Sequence, residues 1–329
     1  MQSLVIFGGG ELAYQIACKY SGESSRVHVV TSLRHSNELI NGVKFSKLLE
    51  DILVSYEILS TLKRSESYRF EELTDAIYFS VGAAWIFQKE FISEKCNNRL
   101  FNFHGKRLPQ NRGGGGFSWQ ILMGIRHGFS VIHECAPSLD AGRIVGFREF
   151  LYPPEIRTPK QHEELSIQQD LLLLEEFLVR RSDQRSDFVE LEQSEYFSTY
   201  WPRLNTLKNG FIDWNLDPIE LDRFICAFDD PYEGASTFIN GEIVHLKSVM
   251  LCSQDSNFHS FQTGIIYRKR KDWICVALKG MSLIVRNITD DSGSSVMSRI
   301  AVGDRLYTPN QNLSDSMTRV RYSSEGLLS

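Results

Sequence analysis

The constraint that most narrows the fold lies in residues 4–20. An apolar run, LVIF, meets Gly8-Gly9-Gly10 and then a segment whose apolar residues, Leu12, Ile16 and Tyr20, recur at helical spacing. A second β-rich run follows at residues 27–30. Strand, glycine turn, helix and strand in that order open an α/β sheet unit. The alternation returns with AIYFS at 76–80 and LFNFH at 100–104, and residues 83–95 between them read as a helix. Repeated short β runs joined by helices predict a mostly parallel sheet.

Further along, residues 117–125 read as a helix that stops near Gly128, and 130–135 and 142–150 as strands joined by a tight loop. Residues 163–181 form a strong helix pattern, and 181–187 read as a linker. The character then changes. A helix is expected over 217–228, with Pro218 in its first turn. After it come short β-rich runs at 236–239, 243–249, 263–267, 273–277 and 282–286, the signature of a small barrel or sandwich. The expected division is 1–203 as the first domain with its linker helix, 204–306 as a small β-rich domain, and 307–329 as a polar tail that frays.

Composition removes several classes. Thirty-six Lys and Arg stand against 41 Asp and Glu, a net charge of -5, which is no footprint for non-specific nucleic-acid binding. No window approaches the ~20 apolar residues that cross a bilayer. The opening residues lack a basic region before their apolar run and read as a strand rather than a signal peptide. The six cysteines, at 18, 96, 135, 226, 252 and 275, form no CxxC pair, so neither a zinc site nor a disulfide framework is indicated. A cytoplasmic location is expected, because such scattered thiols suit a reducing compartment.

The polar residues of interest sit at the end of LFNFH. In an extended strand Asn102 and His104 project to one side and Phe101 and Phe103 to the other. They precede a long Gly/Pro loop, where open α/β sheets place ligands. A turn-capping Asn102 and a satisfied core His104 are the competing reading. Asp140, in the loop SLDAG, is a carboxylate able to orient an imidazole or simply a turn residue. Gly8-Gly9-Gly10 lacks the GxGxxG order of a dinucleotide site. Arg112 and the four glycines after it either present backbone donors to an anion or form a flexible turn.

Taken together, Asn102-Phe103-His104, Leu108-Pro109 followed by Arg112-Gly113, and Asp140-Ala141-Gly142 resemble the catalytic core of the folate-dependent formyltransferases. His133 falls where that family often carries a histidine on the intervening strand. Ile212-Asp213-Trp214, the following helix, and Asp230-Pro231-Tyr232 with Gly234-Ala235 resemble the linker and C-terminal domain of the tRNA-acting and amino-arabinose-acting members. The resemblance spans about residues 1–305. Departures are Gly105-Lys106-Arg107 where tRNA-acting members commonly have Ser-Leu-Leu, glycines at 113–116, and Ala141 and Arg143 where Thr and Pro are common.

The resemblance implies an α/β, Rossmann-like formyltransferase domain with a mostly parallel sheet, followed by a small open β-barrel of OB-like character. It implies formyl transfer from 10-formyltetrahydrofolate, a co-substrate, with no metal. His104 takes the proton of the attacking amine, Asn102 donates to the formyl oxygen, and Asp140 positions His104. Val81, Gly82, Ala83, Ala84, Trp85 and Ile86 are expected at the folate, and Lys106, Arg112 and Gly113 at the acceptor. The acceptor expected is a nucleotide-linked amino sugar of the kind used for bacterial surface polysaccharide such as lipopolysaccharide. The departures and the acidic balance point away from the alternative, charged initiator tRNA. A formyl-folate hydrolase and a non-catalytic folate or sugar-nucleotide binder are further alternatives. No membrane insertion is expected, and a homodimer is open to the chain.

Overall fold

The computed structural model describes residues 3–22, 26–182, 190–255 and 257–328. Its first part is built on strands β1 (Ser3–Gly8), β2 (Val27–Thr31), β3 (Ser55–Ile58), β4 (Ala76–Val81), β5 (Leu100–His104), β6 (His127–Glu134) and β7 (Ile144–Leu151). They form one seven-stranded sheet in the order β7-β6-β5-β4-β1-β2-β3. The five from β5 to β3 run parallel, whereas β6 pairs antiparallel with β5 and β7 antiparallel with β6. Every residue of β1, β2 and β4 is buried, as expected of central parallel strands covered on both faces.

Helix α1 (Gly10–Tyr20) packs Ala13, Ile16 and Ala17 into the sheet. Helix α2 (Lys89–Lys95) precedes β5, and α3 (Gly116–Leu122) follows the long loop after it. Helix α4 (Pro159–Ser182) lays a stripe with Leu173, Leu174 and Phe177 against the sheet. It takes in the first two residues of the stretch read as a linker, 181–187; the remainder, 183–187, lies outside the described residues.

Three expectations are corrected. Residues 83–95 form a helix only from Lys89, and the half before it is an irregular segment at the carboxyl end of β4. The helix expected over 117–125 ends at Leu122, because Gly124 turns the chain at φ +65°; Gly128 already lies in β6. The polar tail is ordered through residue 328: Tyr307 pairs with the second sheet, and a helix (Asn310–Ser316) and a two-stranded ribbon of Arg321–Tyr322 and Leu327–Leu328 follow.

The sheet order reverses between β1 and β4: β1 leads to β2 on one side, while β4 continues on the other. Ligands bind at such switch points, beyond the strand carboxyl ends. Gly8 makes this junction. At φ +135° a Cβ would stand 1.9 Å from the Val81 carbonyl oxygen, so only glycine lets the ends of β1 and β4 meet.

Helix α5 (Pro218–Ala227), capped by the Asp217 carboxylate on the Ile219 N–H, begins the second part. Its strands are β8 (Ala235–Ile239), β9 (Glu242–Cys252), β10 (Ile266–Lys269), β11 (Ile274–Leu278), β12 (Met281–Thr289) and β13 (Leu306–Tyr307), ordered β10-β11-β12-β9-β8-β13. All pair antiparallel in this sheet, an open barrel with its own apolar core around Leu246, Ile274, Leu283 and Val285. The same core includes Ile121 of α3 and Leu221 and Ile225 of α5, and Ser118 donates to the Ala227 carbonyl at 2.7 Å. The two parts are therefore joined through packed helices rather than by a bare linker.

Candidate active site

Strand periodicity assembles the site. Asn102 and His104 share a face of β5, and antiparallel pairing sets His133 of β6 directly opposite Asn102. Three polar side chains thus converge at one end of the sheet. The fourth arrives from the loop between β6 and β7. That loop folds back so tightly that a Cβ on Gly142 would stand 1.8 Å from the Glu134 carbonyl oxygen, and Asp140 adopts the left-handed conformation at φ 52°. Arg143 fastens its base by a two-pronged pair with Glu134, at 3.0 and 2.8 Å.

The hydrogen bonds define the imidazole tautomers. His104 Nε2 lies 2.6 Å from the Asn111 carbonyl oxygen, which only accepts, so Nε2 carries the proton and Nδ1 holds the lone pair of the neutral ring. Nδ1 is 3.8 Å from Asp140 Oδ2. His133 Nδ1 donates to the Glu134 carbonyl at 2.8 Å, leaving Nε2 to accept from Asn102 Nδ2 at 3.0 Å. The same Asn102 nitrogen donates to the Phe103 carbonyl at 3.1 Å. Asp140 Oδ2 accepts from the Gly113 N–H at 2.8 Å, and Oδ1 lies 3.6 Å from His133 Nε2.

Burial pushes the His104 imidazole down to about 4, against the opposing pull of the Asp140 charge. It is a neutral base at physiological pH. Burial alone would raise the Asp140 carboxyl, but the facing histidines and the Gly113 N–H outweigh it and hold the group at about 2. A neutral imidazole with its lone pair toward a fixed carboxylate suits one event: arrival of a proton at Nδ1, which the carboxylate then stabilises.

These residues lie in a cavity of about 490 Å³. Asn102, His104, Gly113, His133 and Asp140 line it from below, and Gly82, Ala83, Ala84, Trp85 and Ile86 form one side. The irregular course of that segment leaves its backbone beside the cavity. Gly82, at φ +59°, has nothing within 4 Å of where a Cβ would be, and Ile86 is exposed, whereas the Trp85 indole is tethered to the Ser60 carbonyl at 3.1 Å. An open, half-apolar wall of this kind fits a flat heterocycle.

Val81, Lys106 and Arg112 are not among the cavity-lining residues. Val81 is buried in β4, its carbonyl accepting from the Gly9 N–H. Lys106 is buried, its Nζ donating to the Gly114 carbonyl at 3.3 Å, and burial lowers its ammonium to about 8. Arg112 is also buried and donates to Gln193 Oε1 at 3.3 and 3.1 Å and to Glu195 at 2.6 Å. Gln193 in turn grips the carbonyls of Asp140 and Gly142 at 2.9 and 2.7 Å. Arg112 therefore steadies the Asp140 loop at one remove. The glycines after it serve close packing: the Gly113 N–H holds Asp140, and the Gly114 N–H donates to the Trp201 carbonyl.

Sequence reasoning missed the Asn111 carbonyl and the Gly113 N–H, because backbone groups leave no mark on residue type. It also missed the residues on the far wall, among them Arg34, Arg203 and Tyr322, which come from three separate stretches of chain.

Residues 206–300 match the family described as formyl transferase, C-terminal domain. The chain carries the formyltransferase fold. An N-formyltransferase from Helicobacter canadensis, solved with folinic acid and dTDP-3-aminofucose, superposes with a TM-score of 0.64 at 17% identity, covering 87% of this chain and 99% of that one. The sugar 3N-formyl transferase WlaRD, solved with dTDP and 5-N-formyl-THF, gives 0.62 at 17% identity, with 87% and 97% covered. Methionyl-tRNA formyltransferase from Clostridium thermocellum gives 0.50 at 15% identity, with 76% and 93% covered. Within this formyltransferase fold, the chemistry-bearing residues stand on β5, β6 and the loop after β6, at the carboxyl-end side of the parallel strands.

Proposed function

We propose that this chain transfers the formyl group of 10-formyltetrahydrofolate to the primary amine of a nucleotide-linked amino sugar. The observation that carries the reading is the convergence of Asn102, His104 and Asp140 in one cavity, with the imidazole neutral and its free lone pair facing a fixed carboxylate. The solved relatives bound to a formyl-folate together with dTDP or a dTDP-amino sugar support the choice of acceptor.

The folate would lie along Gly82–Ile86, where backbone faces the cavity. When bound, it supplies an activated formyl carbon. His104 Nδ1 removes a proton from the acceptor amine as the nitrogen attacks. The Asn102 amide exchanges its donation to His133 Nε2 for donation to the formyl oxygen as negative charge builds there. Asp140 pairs with the newly formed imidazolium and returns it to neutrality once the proton passes to the departing folate nitrogen. Lys106, Arg112 and Gly113 support this arrangement through backbone and loop rather than by touching the acceptor, Gly113 also forming part of the cavity wall. Cytoplasmic residence fits a reaction fed by reduced folate and sugar nucleotides. A homodimer and a role in lipopolysaccharide assembly belong to the same reading.

The test is a panel assay with 10-formyltetrahydrofolate and nucleotide-linked 3-amino and 4-amino sugars, charged initiator tRNA, or water alone, with products identified by mass. Formylated sugar nucleotide is expected. Product only with tRNA, formate alone, or binding without turnover would each overturn the reading.

A further inference from the structure

The far wall of the cavity is basic. Arg34, Arg203, Arg319 and Arg321 all line it. None of the four has a carboxylate partner within ion-pair distance among the described residues, so their guanidinium groups are not neutralised by a contacting carboxylate, unlike Arg112, which pairs with Glu195. Arg34 donates to His35 Nε2 at 2.7 Å, but its Nε is buried without a partner. Arg34 and Arg203 both stand against the ring of Tyr322, at 5.7 and 5.2 Å from its centre. They are close enough that Arg203, after burial, is the main influence lowering the Arg34 guanidinium.

The fold works to hold this pair together. Tyr200 and Trp201 pair in parallel with Arg112 and Gly113, which carries the chain over the catalytic loop and delivers Arg203. A Cβ on Gly114 would stand 3.0 Å from Arg203 Cβ, so the glycine permits the approach. Tyr322 is fixed by Asn205 at 3.0 Å, and the Arg34 N–H donates to the Ser324 carbonyl at 3.2 Å. Arg34, Arg203 and Tyr322, with Gly82 and Gly114, also line an adjoining cavity of about 550 Å³, so the pair stands where two cavities meet. The carboxylates of that second cavity, Glu38 and Glu163, are both raised by burial, Glu163 to about 7, and offset the arginines incompletely. Two close, unpaired, half-buried guanidinium groups present planar donor forks that suit phosphoryl oxygens.

We infer that Arg34 and Arg203, braced by Tyr322 of the C-terminal ribbon, bind the diphosphate of the acceptor, so that the ribbon is a specificity element for phosphorylated substrates. This rests on the proposed sugar-nucleotide reaction. The glutamate tail of folate offers oxyanions of similar chemistry, and the test separates the two.

Full-length Arg34→Gln, Arg203→Gln and Tyr322→Ala variants are compared with wild type by kinetics and by calorimetric titration with dTDP, UDP and inorganic pyrophosphate. The expected result is a rise in KM for the nucleotide-linked acceptor on the order of tenfold or more for each arginine variant, and a smaller rise for Tyr322→Ala. The folate KM and the slow turnover of the same amino sugar lacking phosphate should stay put. Arg203→Lys should fall between. Unchanged acceptor KM and nucleotide affinity in folded variants, a rise confined to folate, or improved turnover on loss of Tyr322 would overturn the inference while the reaction itself stood. A wild type that binds pyrophosphate through these arginines yet formylates no sugar nucleotide would sink the reaction and leave the anion site.

Discussion

Two aspartates largely withdrawn from water meet opposite fates in this chain. Asp140 is held at about 2 and Asp170, on the inner stripe of α4, is pushed up to about 7. Both lose water. Asp140 recovers the loss from the Gly113 N–H and the two facing histidines, whereas Asp170 has the hydroxyls of Ser130 and Ser166 and, among the described residues, no cation. Burial alone therefore does not decide ionisation; the groups that face the charged form do. The ionised carboxylate stands at the cavity, and the near-neutral one lies behind the sheet.

The comparison breaks most visibly at Asp140. Asp140→Asn keeps the size of the side chain but removes the charge that stabilises a protonated His104. We expect turnover of the amino-sugar acceptor to fall by roughly 10²–10⁴, the range typical of positioned proton transfer, with the secondary structure unchanged by circular dichroism. Activity within a few-fold of wild type would make Asp140 a turn residue.

The same substitution fixes a sign on the imidazole. In the wild type His104 should titrate near 4 by NMR, because burial outweighs the Asp140 charge that pulls its value upward. Removing that charge in Asp140→Asn should move the titration lower still. The acid limb of kcat/KM assigned to His104 should shift the same way, toward lower pH. An upward shift would mean that Asp140 does not act on this ring.

Asp170 should do the reverse of an ordinary ion-paired carboxylate. Its folded value of about 7 exceeds the reference of 3.8, so the folded state binds the proton more tightly than the unfolded one. Stability is then lost as pH rises from about 4 to 7, at ~1.4 kcal/mol for each pH unit between the two values. Asp170→Asn removes that dependence. Its melting temperature relative to wild type should be more favourable at pH 8 than at pH 5, and a difference that did not vary with pH would refute the shift.

How much of this was legible in the sequence follows from what each feature is made of. Period-two alternation put Asn102 and His104 on one face of LFNFH, and the glycine-punctuated apolar runs announced the α/β sheet. Those are local properties of side chains. The distance from Asp140 to His104 depends on how the loop after β6 folds back, which follows from Gly142 and from Gln193 some fifty residues onward, and no local pattern encodes it. Arg112 shows the opposite error: a cation before four glycines looks like an anion site, but the guanidinium spends its donors on Gln193 and Glu195. The helix expected over 83–95 lost its first half because Gly82 takes φ +59° at the end of β4 and the chain runs irregularly beside the cavity.

The finest test of the contrast is Ser130. Its hydroxyl donates to Asp170 and is the first group that eases the ionised form there. Ser130→Ala should cost about 1 kcal/mol at low pH, the usual net worth of one hydrogen bond. It should also raise the Asp170 value further, so the pH-dependent loss of stability extends to higher pH than in the wild type. At Asp140 the groups that lower the carboxyl are the His133 and His104 side chains, which belong to the proposed catalytic cluster, and a backbone N–H that no substitution deletes cleanly. One carboxylate is eased by hydroxyls and the other by two facing histidines and the main chain of the Gly113 turn. A pH–stability curve that merely dropped in Ser130→Ala, without sliding toward higher pH, would show that the hydroxyl packs beside Asp170 without governing its charge.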